Sequence, residues 1–154
     1  MKKIKIVPAI VIMLVVFILI IFLNSSFGKL LTIKYRGYTE ISTRIYIDKE
    51  CSLSAGEDIL QLAEESFGRV ETFWGELESE PVIIFSDNRQ NFTDLGLSVN
   101  TAATELFVFN GAITYIAVYI PGADIDILAH EISHAELHER IYKGSYSTSQ
   151  LVPA

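Results

Sequence analysis

The chain has 154 residues, room for one folded domain, and carries 12 basic against 19 acidic residues with three histidines. Setting aside Lys2, Lys3 and Lys5 leaves nine basic residues against 19 acidic and a charge of about −10, a balance that excludes nucleic acid as a natural partner. Cys51 is the single cysteine, so an intramolecular disulfide is excluded and the thiol is expected to pack as an ordinary core side chain.

From Ile6 to Leu23 no polar side chain interrupts the sequence. As a helix this run spans about 27 Å, close to the hydrocarbon thickness of a bilayer. The preceding lysines then place the amino terminus in the cytoplasm and the rest of the chain outside it, by the positive-inside rule. The length of the run favours an uncleaved anchor over a signal peptide, for which Asn24-Ser25-Ser26-Phe27-Gly28 is a poor cleavage site. The expected organisation is a cytoplasmic tip and membrane anchor over residues 1–28 and an exported domain over residues 29–154. The expected location is the cell membrane, crossed once, with the membrane as a partner through this helix.

Lys29 to Glu40 lacks periodicity and reads as a connector. Ile41, Ile45 and Ile47 mark a strand, with one buried and one exposed face over Arg44-Ile45-Tyr46-Ile47-Asp48. Ser54-Ala55-Gly56-Glu57 has capping-box spacing, and apolar residues recur at helical intervals from Ile59 to Leu77. The spacing predicts a helix from about Ala55 to Glu76, whose apolar stripe is core. Val82-Ile83-Ile84-Phe85 is apolar throughout, as in a strand buried on both faces. Asp87 to Thr104 is polar, with one short helix near Arg89 to Leu95. Asn24 and Asn91 stand in glycosylation triplets, which are common by chance.

Glu105 to Phe109 and Ala112 to Tyr119 flank Asn110-Gly111, a strong hairpin signal. Pro121-Gly122 ends the second strand, and Asp124 caps a helix whose first turn also holds Asp126. On that helix His130 and His134 lie one turn apart and present two imidazoles to one ion, Zn2+ being the metal this spacing suits. Glu131 sits about 100° round the helix, beside the ion, where its carboxylate can take a proton from a water acidified by the metal and deliver it to a departing amine. A chance match to His-Glu-x-x-His arises in roughly one chain of this length per hundred, before a helix is required around it. His138 is about 12 Å from His130 along a straight helix, too far for both to join His134 on one ion, so it reads as a supporting or surface residue.

Ile127-Leu128-Ala129-His130-Glu131-Ile132-Ser133-His134-Ala135-Glu136-Leu137 resembles the active-site helix of the gluzincin zinc peptidases, in particular the bacterial peptidase-MA-like group. The resemblance covers the second half of the chain. It implies an α+β zincin-like domain, with a small mixed sheet and an active-site helix, which here is expected behind the one N-terminal transmembrane helix read from Ile6 to Leu23. It also implies His130 and His134 as zinc ligands, Glu131 as catalytic base, and a peptide or protein substrate. In such families the third ligand is a glutamate on a further helix downstream. Here the only acids after His134 are Glu136 and Glu139, on the same helix, and Leu151-Val152-Pro153-Ala154 resembles the lead-in to the glutamate segment. The expectation is a domain incomplete at its carboxy-terminal end, its active-site helix partly uncovered. A third ligand would have to come from an upstream carboxylate such as Glu105 or Asp124, or from another subunit.

Two functions follow. One is peptide hydrolysis, with the strand Ala112 to Tyr119 as a possible edge for an extended substrate. The other is an inactive zincin-like remnant that binds a partner without turnover. A blander third reading leaves the histidines incidental on an amphipathic helix.

Overall fold

A computed structural model describes residues 6–51, 53–97, 102–108 and 113–142. In chain order its elements are helices α1 (Ile6–Asn24) and α2 (Ser26–Leu31), strands β1 (Tyr38–Ser42) and β2 (Ile45–Asp48), and helix α3 (Leu53–Trp74). Strand β3 (Val82–Ser86), helix α4 (Arg89–Asp94), strands β4 (Ala103–Val108) and β5 (Ile113–Tyr119) and helix α5 (Ile125–Tyr142) complete the α+β domain.

The strands form one mixed sheet in the order β1-β2-β3-β5-β4. The three inner strands run parallel, and an antiparallel strand closes each edge. Parallel strands need cover on both faces, and the alternation of β3 provides for it. Ile83 and Phe85 point to one face with Ile116 and Val118, where α3 and α5 contribute Ile59, Ala63, Val70, Leu128 and Ile132. Ile84 points to the other face with Tyr46, Tyr115 and Ala117, under Leu30 of α2 and Phe92 of α4. The unbroken apolar run at Val82 to Phe85 is thus the central strand, as its sequence predicts.

Among the described residues no helix is long and apolar enough to cross a membrane, which overturns the transmembrane anchor. With it go the single-pass location, the cytoplasmic amino terminus and the extracytoplasmic domain. Helix α1 has 19 residues. Its side chains from Ile10 to Phe22 are exposed. The lysines before Ile6 lie outside the described residues.

Two local expectations are also revised. The expected strand around Ile41 to Ile47 is a hairpin, because Thr43 and Arg44 turn the chain between β1 and β2 with Arg44 at φ 62°. The expected connector holds α2, whose cap is the Ser25 hydroxyl, accepting from the Gly28 N–H at 3.2 Å. Gly28 lies so close to α1 that a Cβ there would stand 2.0 Å from the Phe22 carbonyl oxygen, so only glycine fits.

Helix α3 starts at Leu53, two residues before the expected Ala55, and the Ser54 side chain lies outside the described residues. The helix ends at Gly75, which takes φ 77° and donates its N–H to the Glu71 carbonyl at 2.8 Å. The Asn88 side chain caps α4 by accepting from the Gln90 N–H at 2.7 Å. Cys51 is half-buried against the α3–α5 side of the core, and burial, with Asp87 and Asp48 nearby, pushes its thiol up, away from the reactive thiolate. The Asn91 amide donates to the buried Asp48 carboxylate, so that glycosylation triplet holds a structural side chain.

The β4–β5 hairpin forms in the expected register, Val108 opposite Ile113, while the Asn110-Gly111 turn lies outside the described residues. Asp124 caps α5 as expected: its Oδ1 accepts from the Ile127 N–H at 2.8 Å. Replacing Asp124 with alanine should cost about 1 kcal/mol. Urea unfolding followed by circular dichroism measures it, and an unchanged midpoint would remove the cap from the account of α5.

Candidate metal centre

Helix α5 buries Leu128, Ile132 and Ala135 completely, and that inner stripe fixes what the opposite side presents. His130 and His134 stand on the exposed side, with ring planes at 90° and centroids 4.4 Å apart. Their Nε2 atoms lie 3.0 Å apart. At that distance one ring can donate to the other, or both lone pairs can face one ion. Two nitrogens on a tetrahedral zinc are about 3.3 Å apart for bonds near 2 Å, so the pair fits zinc after a shift of a few tenths of an ångström.

Glu131, next along the helix, is half-buried and borders an open cleft between α5 and the start of β4, with Ala102, Ala103 and Ile127 on the walls. The cleft lies beside β4, which among the described residues pairs only with β5 and forms one edge of the sheet. The expected substrate edge, Ala112 to Tyr119, is corrected here: its strand β5 is held between β3 and β4, so the free edge belongs to β4.

The structure separates the remaining candidates. Helix α5 runs unbroken to Tyr142, which keeps His138 two turns beyond His130. Asp124 is engaged as the helix cap. The Glu105 side chain and the Leu151 to Ala154 lead-in lie outside the described residues. Among the described residues no group of three histidine, cysteine, aspartate or glutamate side chains converges on one metal position. Of the candidate ligands, the structure brings together His130 and His134.

Glu136, noted in the sequence only as an acid after the motif, has a different task. It is fully buried, and its carboxylate accepts from the Glu78 N–H at 3.0 Å and the Ser79 N–H at 2.8 Å, with the Arg140 guanidinium beside it. Arg140 reaches on to the Glu76 carbonyl at 2.8 Å. Burial by itself would push this carboxyl up, but the two backbone N–H groups and Arg140 outweigh it and hold it below the usual carboxylate range. This clamp fastens α5 to the loop between α3 and β3. Its sequence signal was the Glu-to-Arg spacing of four residues.

A second cleft lies on the far side of His130, between α3 and α5, bordered by Phe73, Ser133 and the exposed Arg69–Asp126 ion pair. Comparisons of the chain with family models, with curated proteins and with solved structures find no match, so the functional reading rests on the geometry of α5 and its two clefts.

Proposed function

We propose that this chain acts as a zinc-dependent peptidase of the gluzincin type, with His130 and His134 as ligands and Glu131 as general base. The observation that carries the reading is the approach of the two Nε2 atoms to 3.0 Å on the exposed side of a capped helix. His130 and His134 would hold the zinc, and its chemistry there would be to polarise a carbonyl and acidify a water. Glu131, bordering the cleft next to His130, takes the proton of that water and returns it to the departing amine. An extended peptide adds to the free edge of β4, which brings its backbone alongside Glu131.

The test is cleavage of an unfolded protein substrate by the zinc-supplemented full chain, with and without chelator, alongside zinc content. Chelator-sensitive cleavage and retained zinc are expected for the parent, with both lost in His134→Ala. Cleavage that survives chelation, or that persists in the variant, would sink the proposal. The two-nitrogen ligand set favours a second reading, a zincin-like binding module without turnover. On that reading zinc or peptide binds and no bond is cut.

A further inference from the structure

Strands β2, β3 and β5 run parallel, so their carboxyl ends share one end of the sheet. There the chain leaves β2 for α3 on one face and leaves β3 for α4 on the other, and the two connections part between neighbouring strands. In open sheets of this kind such a switch point opens a crevice where ligands bind. Polar side chains gather at this one. Asp48 ends β2 and Ser86 ends β3, both buried. The Tyr38 and Ser86 hydroxyls are hydrogen-bonded at 2.8 Å, and the Asn91 amide donates to the Asp48 carboxylate.

Tyr38 and Asn91 also border a cleft of about 310 Å³, whose other walls are Lys29, Arg36, Asp94 and Leu95. Lys29 donates to the Asp94 carbonyl, and Arg36 to the Leu23 carbonyl and, at 2.7 Å, to the Thr32 hydroxyl. Among the described residues neither cation forms an ion pair with a carboxylate, whereas Lys34, Arg44, Arg69 and Arg140 each do. Two cations held by neutral acceptors thus face one cleft in a chain of net charge −7. The carboxylate on the walls, Asp94, is exposed and accepts from the Gln90 amide at 2.8 Å.

We propose that this cleft binds the phosphate group of a small soluble ligand, with Lys29 and Arg36 as the recognising cations. A dianion satisfies both positive charges, and the guanidinium fork suits two phosphate oxygens at once while the ammonium acts as a point charge. The volume, at the lower end for ligand pockets, fits free phosphate or a compact phosphomonoester. The site faces the α2–α4 side of the sheet, opposite α5, and is independent of the histidine pair.

Calorimetric titration of the full chain with inorganic phosphate and with glycerol 3-phosphate is the test, tighter binding of one or the other identifying free phosphate or the ester as the ligand class. Binding should weaken at least about tenfold in Lys29→Gln and in Arg36→Gln, each of which loses a charge-assisted contact. It should be unchanged in Arg44→Gln, whose exposed cation pairs with Glu80 and lies before β2 at the opposite end of the sheet. Asp94→Asn keeps an oxygen for Gln90 and removes the like charge, so it should tighten binding a few-fold. No heat with either probe would overturn the proposal. So would binding that Arg44→Gln weakens as much as Arg36→Gln, or that Asp94→Asn weakens.

Discussion

Replacing Glu136 with alanine should destabilise the domain by about 3–5 kcal/mol, enough to bring a protein of ordinary stability close to unfolding. The change takes one carboxylate from the Arg140 guanidinium, which keeps Glu78 and the Glu76 carbonyl, and leaves the Glu78 and Ser79 N–H groups without their acceptor. Glu136→Gln keeps the shape and one acceptor oxygen and should lose about 1–3 kcal/mol. Urea unfolding followed by circular dichroism measures both, and an alanine variant within 1 kcal/mol of the parent, a difference typical of surface changes, would refute the clamp. The pH dependence has a definite sign. Because the folded carboxyl lies below its ordinary value of 4.5, its contribution is fully present above that value and drains away as the pH falls through the folded pKa. The parent should therefore lose stability more steeply than Glu136→Gln below pH 4.5.

On the proposed reading, Glu131→Gln should lower kcat by at least about 100-fold, the usual scale of a lost general base. Glutamine keeps the size and a hydrogen-bonding oxygen but cannot accept the proton. Because Glu131 is not a ligand in this reading, zinc content should be unchanged, unlike in His134→Ala. Peptide affinity, measured with a substrate that is bound but not turned over, should also be kept. Equal turnover by parent and variant, under conditions where chelator stops both, would assign the base to another group.

The elements that were legible in the sequence are those whose signal is local. Val82 to Phe85 reads as a doubly covered strand because apolar residues occupy both its faces, and Asp124 reads as a cap because its acceptor serves an N–H three residues on. The β1–β2 turn was missed because Thr43-Arg44 lacks the glycine or asparagine that usually takes a positive φ. Helix α2 was missed because six residues are too few to show a period. The free edge was placed on the wrong strand of the hairpin, since the parallel pairing of β3 with β5 crosses α4 and β4 and leaves no mark in either segment. At the candidate metal centre, the histidine pair and Glu131 were visible as spacing on one helix. The Glu136 clamp went unread: Glu136 and Arg140 have the spacing of a helical ion pair, but the other half lies 58 residues away at the backbone of Glu78. No side-chain pattern announces a backbone donor.

The clamp also makes two backbone amides into reporters. The Glu78 and Ser79 N–H groups sit in a loop, where amide protons ordinarily exchange quickly with solvent deuterium, yet their acceptor is a buried carboxylate on α5. They exchange when the bonds between this loop and Glu136 open, so their protection measures the opening free energy of the contact that fastens α5 to the loop. Any ligand that holds α5 in place slows deuterium uptake at these two positions, far along the chain from His130 and His134.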